Sequence, residues 1–443
     1  MSKNQVVDFE KYSNRLDRTL PVSVKGRVKE VVGLLVKATV PDACIGELCL
    51  IYNPRSSSPI KAEVVGFQGG DVLLMPLGDL TNIGPQSEIA PTRNYLTVKV
   101  GDKLLSRVLN GLGEPMDVEL KGPLEWEQEY AVHQRAPDPL RRKRVTNPIS
   151  IGVRAIDSLL TCGEGQRVGL FAAAGVGKST LLGMIARNTE ADVNVITLVG
   201  ERGREVRDFL EHDLGPDGLK RSVVVCATSN EPSLVRLKGA YIGTAIAEYF
   251  RDQGKRVILM LDSVTRFARA QREVGLACGE PPARAGYTPS VFAELPKLLE
   301  RAGNSDKGSM TAFYTVLVAG DDMNEPVADE VRSILDGHII LSRELAAQGH
   351  YPAINVLESV SRVMSSVADA DHRRAASRMR EVLATYEKQK DLILLGAYQA
   401  GADPRTDYAL SKIDELTSFL KQETDEQDTA AETVARLKRL FEE

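Results

Sequence analysis

One segment, VGLFAAAGVGKSTLLGMIARN, limits the fold of this chain more than any other. A strand-like apolar run ends at Phe171, a loop of small residues follows, and Lys178, Ser179 and Thr180 open an amphipathic helix. This order is typical of a phosphate-binding loop, in which backbone N–H groups and the positive end of the helix surround a phosphate. The segment therefore predicts a nucleotide-binding α/β domain, with Lys178 on the β- and γ-phosphates and Ser179 on Mg²⁺.

The predicted loop departs from the G-x-x-x-x-G-K-[ST] pattern at one position, where Ala172 replaces the first glycine. The two glycines nearest the lysine are intact. Alanine is acceptable at that position if its φ is negative, so we expect a variant loop that still binds ATP. The residues expected to contact the phosphates are Ala172, Ala173, Ala174, Gly175, Val176, Gly177, Lys178, Ser179 and Thr180.

Two acidic residues follow other apolar runs. Asp262 ends RVILMLD, where a carboxylate at the edge of a buried strand predicts a second Mg²⁺ ligand. Glu201 comes directly after VNVITLVG and is expected to orient the attacking water, and Arg202 beside it is a candidate contact for the γ-phosphate. The alternatives are a helix-capping role for Asp262 and a solvated charge run that begins a helix for the other two.

The chain divides into four parts by composition. Residues 1–20 have apolar residues at helical spacing, which predicts a helix that packs on its own domain or docks on a partner. Residues 21–92 alternate short β-branched runs with turn residues, which predicts a small β-barrel. Residues 93–368 contain the near-continuous apolar runs of a doubly wound parallel sheet, after a wrapping connection over 93–148. Residues 369–443 predict a helical domain.

The composition of the 443 residues excludes several classes of protein. Hydrophobic residues make up 43% and charged residues 26%, as in ordinary soluble globular proteins. The net charge of -5 disfavours a general nucleic-acid binder, which needs an excess of Lys and Arg. The five cysteines, an odd number found mostly in apolar runs, indicate a reducing compartment. Because we find neither a signal-peptide pattern nor a long apolar run, we expect a cytoplasmic protein.

Several segments together resemble the rotary-type hexameric P-loop ATPases, namely GVGKST, GERGREVRDF, LMLDSVTRFARAQREV, GEPPARAGYTPSVF and YPAINVLESVSRV. Within that group the chain is most similar to the type III protein secretion and flagellar protein export ATPases, which are related to ATP synthase catalytic subunits. The resemblance runs from RVKEVVGLLVKA to the helical tail. It implies a β-barrel, a central RecA-like ATPase domain, a C-terminal helical domain, and ATP hydrolysis coupled to protein export.

The resemblance also implies roles for single residues. Glu201 matches the catalytic carboxylate of the family, and Asp262 matches the Walker B acid. Arg362, in SVSRV, matches the arginine finger that reaches a neighbour's γ-phosphate, and Tyr351, in HYPAIN, matches the aromatic residue that stacks on adenine. The alternatives are a surface arginine and a core tyrosine.

The implied assembly is a homohexameric ring, because Lys178, Glu201 and Arg362 are all on one chain. The implied partners are stalk and regulator proteins, export substrates with their chaperones, and the membrane export gate, at the inner face of the cell membrane. The expected work is chaperone release and unfolding of substrates. The alternatives are a catalytic subunit of a rotary ATP synthase or proton pump, an RNA translocase, which the acidic charge disfavours, and a non-catalytic nucleotide-binding subunit, which the presence of Lys178 and Glu201 disfavours.

Overall fold

The computed structural model describes residues 9, 24–53, 58–81, 83–318, 320 and 322–442. The chain separates into two compact units, Met1–Leu96 and Thr97–Glu443. The helix expected over residues 1–20 lies outside the described residues, except for Phe9.

The first unit contains a closed antiparallel barrel of six strands. These are β1 (Gly26–Val32), β2 (Leu35–Thr39), β3 (Leu48–Tyr52), β4 (Ile60–Gln68), β5 (Asp71–Pro76) and β6 (Glu88–Pro91). Their order is β1-β2-β5-β4-β3-β6, and β1 also pairs with β6. Val36, Ile51, Leu74 and Ile89 point inwards and are fully buried. The barrel leaves no unpaired strand edge, which confirms the expected architecture.

The second unit is built on an eight-stranded sheet, preceded by a small antiparallel pair. The pair is β7 (Thr97–Val100) with β9 (Gln128–Ala131), and the sheet contains β8 (Val108–Asn110), β10 (Arg167–Ala172), β11 (Val193–Val199), β12 (Ser222–Ala227), β13 (Arg256–Asp262), β14 (Ser309–Leu317), β15 (Gly337–Leu341) and β16 (Val360–Ser361). The order is β16-β15-β10-β14-β13-β11-β12-β8, and all pairs are parallel except β15 with β16. The carboxyl ends of the central strands therefore meet at one edge.

The five apolar runs of the sequence form β10 to β14, which confirms the predicted parallel α/β sheet. Strand β10 extends to Ala172, one residue further than expected, and Ala172 pairs with Leu317 and Leu341. The segment 93–148, expected to be an irregular connection, contributes β8 to the edge of the sheet beside β12. Because β8 has only three residues, it is too short to produce a recognisable periodic pattern in the sequence.

Helices cover the sheet of the second unit. They are α1 (Val118–Lys121), α2 (Arg154–Leu159), α3 (Lys178–Asn188), α4 (Gly203–Asp208), α5 (Gly215–Lys220), α6 (Ser233–Asp252), α7 (Val264–Ala277), α8 (Pro289–Leu299), α9 (Pro326–Ile334), α10 (Arg343–Ala347) and α11 (Met364–Val367). A single π-helical turn, Phe209–Leu214, joins α4 to α5. Helix α6 is buried along almost its whole length because it packs directly on the sheet.

Three helices follow, α12 (Ala370–Leu394), α13 (Pro404–Leu420) and α14 (Ala430–Arg439). Met379, Leu416 and Leu437 of these helices are completely buried and belong to the same apolar core as the face of the sheet that carries α2 and α3. Among the residues that the structure describes, no helix has the length and apolar composition needed to cross a membrane.

Candidate active site

The loop between β10 and α3 has the backbone conformation of a phosphate-binding loop. Gly175 and Gly177 have φ values of 81° and 87°, in the left-handed region that favours glycine. Ala172 has no positive φ, so the condition for alanine at that position is met. Helix α3 begins at Lys178 with its first backbone N–H groups free of a side-chain cap. These groups and the positive end of the helix are available to an anion.

Three of the predicted side chains meet at the carboxyl edge of the sheet. The Nζ of Lys178 forms an ion pair with Oδ1 of Asp262 and lies 3.6 Å from Oε1 of Glu201. Asp262 is the last residue of β13, and Glu201 comes two residues after the end of β11, which is the neighbour of β13. Thr315 donates a hydrogen bond of 2.7 Å to Asp262 and so fixes its carboxylate. Parallel pairing therefore brings together residues that are far apart in sequence.

Burial and charge set the protonation of Glu201. Burial raises the pKa of its carboxyl to about 7, and the negative charge of Asp262 acts in the same direction, whereas Lys178 and Arg266 oppose the shift. The Oε1 atom of Glu201 is buried and accepts no hydrogen bond in this structure. A carboxylate with a pKa near neutrality and one oxygen free to accept a proton is suited to general base chemistry.

The arginine beside Glu201 is Arg266, which sequence reasoning missed. Arg266 lies in the first turn of α7, and its Nη2 donates a hydrogen bond of 3.0 Å to Oε2 of Glu201 while its Nη1 donates to the carbonyl of Gly200. The signal that could have found it is its spacing, since it follows Asp262 by four residues at the start of a helix. Arg202 is exposed instead and pairs with Glu205 at 3.3 Å. Its contact with the γ-phosphate stays a prediction.

The oxygen donors at the site fit Mg²⁺, which prefers carboxylate, hydroxyl and phosphate ligands. Ser179 follows Lys178 in the first turn of α3, and the buried carboxylate of Asp262 lies against the same lysine. No cluster of three or more His, Cys, Asp or Glu side chains that could hold a metal occurs in the described part of the chain. Thr180 lies in the same first turn of α3, where its backbone N–H is positioned to contact a phosphate.

Tyr351 lies near the carboxyl ends of the central strands, and Arg362 lies near their amino ends. The ring of Tyr351 is half exposed and lies beside Gly177, such that a Cβ at Gly177 would be 3.5 Å from it. Arg362 is exposed, and its backbone N–H donates to the carbonyl of Asp336, whose carboxylate binds Arg167 at the start of β10. The phosphate-binding loop follows the end of β10, so it lies about 17 Å further along the strand. The backbone of Arg362 therefore lies away from the loop beside which the ring of Tyr351 lies.

Three family models match the chain. The model for the nucleotide-binding domain of the ATP synthase alpha/beta family matches residues 152–361, and the model for the β-barrel domain of that family matches 28–93. The model for the C-terminal domain of the type III secretion ATPase EscN matches 368–439. The three matches cover the barrel, the sheet and the terminal helices in order.

Relatives named for both flagella and secretion systems match over most of the chain. A flagellum-specific ATP synthase from Bacillus subtilis (strain 168) is 56% identical over 418 residues, which is 94% of each chain. A type 3 secretion system ATPase from Xanthomonas euvesicatoria is 54% identical over 401 residues, which is 90% of each.

Two solved structures have the same fold. The assembled ATPase EscN from the type III secretion system of enteropathogenic E. coli superposes with a TM-score of 0.88 at 46% identity, covering 94% of this chain and 99% of that chain. EscN in complex with its central stalk EscO gives a TM-score of 0.86 at 45% identity, with the same coverage. With its three matched domains, its close relatives and its buried Lys178–Glu201–Asp262 cluster, the chain belongs to the family of flagellum-specific ATP synthases and type III secretion ATPases, and the reaction of this family is ATP hydrolysis.

Proposed function

We propose that this chain is the ATP-hydrolysing motor of a bacterial type III protein export apparatus, of the flagellar or the virulence type. The observation that carries the proposal is the cluster of Lys178, Glu201 and Asp262 beside the phosphate-binding loop. The names of the relatives support export as the coupled process. A catalytic subunit of a rotary ATP synthase or proton pump is not favoured, because residues 368–439 match the C-terminal domain of EscN.

The geometry suggests how hydrolysis proceeds. Lys178 would contact the β- and γ-phosphates, and Glu201 would hold the attacking water and accept its proton as the bond to the γ-phosphorus forms. The bond from the γ-phosphorus to the oxygen that bridges it to the β-phosphate would break at the same time, and ADP would leave with that oxygen. Arg266 would keep the Glu201 carboxylate in place. Ser179 and Asp262 would hold Mg²⁺, which would supply positive charge next to the phosphates. Tyr351, beside Gly177, is the candidate for stacking on adenine.

The position of Arg362 supports a homohexameric ring. Because Arg362 lies at the sheet edge away from its own phosphate-binding loop, it would reach the γ-phosphate bound by a neighbour. Each chain would then supply both a site and a finger, and head-to-tail contacts of this kind close into a ring. The solved EscN structures, one described as assembled and one with its central stalk, support a ring that binds a stalk protein.

The remaining partners follow from family membership alone. They are regulator proteins, export substrates with their chaperones, and the membrane export gate, which would place the ring in the cytoplasm at the inner face of the membrane. Chaperone release and substrate unfolding would be the work that hydrolysis drives. Nucleic acid is not among the proposed partners, in keeping with the net charge of -5.

The Glu201→Gln variant tests the proposal through two measurements, its ATP hydrolysis and its support of protein export. The substitution keeps the shape of the side chain and removes the base, so ATP should still bind while turnover falls about 100-fold or more. Lys178→Ala should instead lower nucleotide affinity as well. In a strain that lacks the native gene, both variants should fail to release export substrates into the medium, as followed by immunoblot.

Glu211→Gln is the matched control, because Glu211 is an exposed carboxylate that pairs with Arg207 on the surface. It should retain both turnover and export. Normal turnover by Glu201→Gln would remove Glu201 from its role. Normal export by a variant without hydrolysis would refute the coupling while leaving the ATPase assignment intact.

A further inference from the structure

The connecting segment, residues 421–429, joins α13 to α14 and contacts the nucleotide-binding part of the unit. Most of its side chains are exposed, but Gln422 is only 4% exposed. A buried glutamine is unusual unless its amide is fully used in hydrogen bonds.

Every polar atom of the Gln422 side chain has a partner. Its Oε1 accepts a hydrogen bond of 2.8 Å from the backbone N–H of Arg154, the first residue of α2. Its Nε2 donates to the carbonyls of Gly152 and Glu426, both at 3.0 Å. The side chain thus ties the connecting segment to the loop that enters α2.

The backbone of Gln422 leads to the candidate adenine site. Its N–H donates a hydrogen bond of 2.9 Å to the carbonyl of Tyr351, whose ring lies beside Gly177 of the phosphate-binding loop. The backbone N–H of Gln422 can reach this carbonyl only while the connecting segment stays in place. The position of Tyr351 therefore depends on the hydrogen bonds of the Gln422 side chain.

Two arginines also form hydrogen bonds and ion pairs with the end of α13 and the connecting segment. Arg154, itself 3% exposed, donates to the carbonyl of Phe419 at 3.0 Å and pairs with Asp428 at 2.8 Å. Arg187, in the last turn of α3, donates a hydrogen bond of 2.6 Å to the carbonyl of Thr424. The helix that begins at the phosphate-binding loop and the chain after α13 are thereby linked.

We propose that Gln422 is a positioning residue for the nucleobase, acting through Tyr351. Its side chain holds the connecting segment, and its backbone N–H holds Tyr351 beside Gly177. The inference rests on the proposed stacking of Tyr351 on adenine. We therefore expect Gln422, in the terminal helical region, to affect binding of the base and not binding of the phosphates.

Gln422→Met tests this role in the full-length protein, because methionine has a similar length and forms none of the three hydrogen bonds. The dissociation constant for Mg-ADP should rise about 3- to 10-fold, as expected for the loss of buried hydrogen bonds. The inhibition constant of inorganic pyrophosphate, which needs no base site, should stay within about twofold of the unmodified protein. Gln427→Met is the matched control, because Gln427 is an exposed residue of the same segment, and it should change neither constant.

A double-mutant cycle with Tyr351→Ala shows whether the effect passes through Tyr351. Loss of stacking by Tyr351→Ala alone should weaken ADP binding roughly 5- to 100-fold. In that background Gln422→Met should have almost no further effect. Arg187→Met provides a second variant with a milder change, which should weaken ADP binding about 2-fold without affecting pyrophosphate.

The outcomes separate the two proposals. Unchanged ADP affinity in Tyr351→Ala would refute the stacking role and, with it, this inference. If Tyr351→Ala weakens binding but Gln422→Met does not, or if the two effects simply add, only the positioning role of Gln422 is overturned. Equal losses of ADP and pyrophosphate affinity in Gln422→Met would mean a general structural role and would overturn it as well.

Discussion

The carboxylate of Glu201 lies between groups of opposite charge. Burial and, to a smaller extent, the charge of Asp262 raise its pKa to about 7, whereas Lys178 and Arg266 oppose the shift. Glu201 therefore gains or loses its proton near neutral pH, which is where a general base is most useful. The protonated form cannot accept a proton from water.

This balance predicts the pH dependence of hydrolysis. The value of kcat/KM for ATP should rise as the pH increases through about 7 and level off above it, because only deprotonated Glu201 could act as the proposed base. Arg266→Gln removes a cation that lowers this pKa, so the acid limb should move to higher pH. Arg207→Gln, which alters an exposed pair with Glu211, should leave the limb in place. The test is to measure kcat/KM of the purified proteins against pH at constant ionic strength. A flat profile between about pH 6 and pH 8 would contradict the prediction.

At the scale of elements, α3 packs tightly on the π-helical turn Phe209–Leu214. A Cβ at Gly183, in the middle of α3, would lie 2.4 Å from the backbone carbonyl oxygen of Asp213. Gly183 lowers the helix propensity of α3. Close packing of α3 on the turn explains why a glycine is present there.

Gly183→Ala should therefore destabilise the second unit by about 1–3 kcal/mol, because backbone atoms cannot move away as a flexible side chain would. The midpoint temperature of unfolding should fall, and nucleotide affinity should fall with it as α3 shifts. Gly203→Ala is the control, since Gly203 lies at the start of α4 with open space around it, and its unfolding temperature should stay the same or rise. A Gly183→Ala protein as stable as this control would show that the turn can yield.

For the whole molecule, the separation of Arg362 from its own phosphate-binding loop supports the proposal that this residue completes a neighbour's site. The residue lies beside the start of β10, and the loop follows the end of that strand. If Arg362 completes a neighbour's site as proposed, a complete site needs two chains, and specific activity should rise with protein concentration until the ring is assembled.

Mixing two inactive variants tests this arrangement. Arg362→Ala should lower turnover by about 10³ or more with little loss of ATP affinity, as expected of a finger arginine. In mixed rings, a Lys178→Ala chain still offers Arg362 to an Arg362→Ala neighbour whose loop is intact, so part of the activity should return. A fully active Arg362→Ala protein would make Arg362 a surface residue. An inactive variant without rescue on mixing would mean that the arginine serves its own chain.

Much of the site was predictable because its signals are local. The phosphate-binding loop is one continuous strand–loop–helix segment, and Glu201 and Asp262 each follow an apolar run closely. Parallel strands place such residues at the carboxyl ends of the sheet, but their meeting at Lys178 depends on the strand order, which puts β13 and β11 on the same side of β10. The six-stranded barrel and the central sheet follow from periodicity in the same way.

The tertiary structure alone decided the contacts between distant segments. Which arginine lies on Glu201 depends on the direction in which α7 leaves β13, and this direction brings Arg266 back to the site while Arg202 faces solvent. The hydrogen bond from Gln422 to Tyr351 joins two segments, and neither segment's sequence pattern indicates contact with the other. Local sequence determines which groups can do chemistry, because it sets strand ends and loop conformation. Packing determines which side chains hold those groups in place, because the partner of a buried polar group is chosen only when the chain is folded.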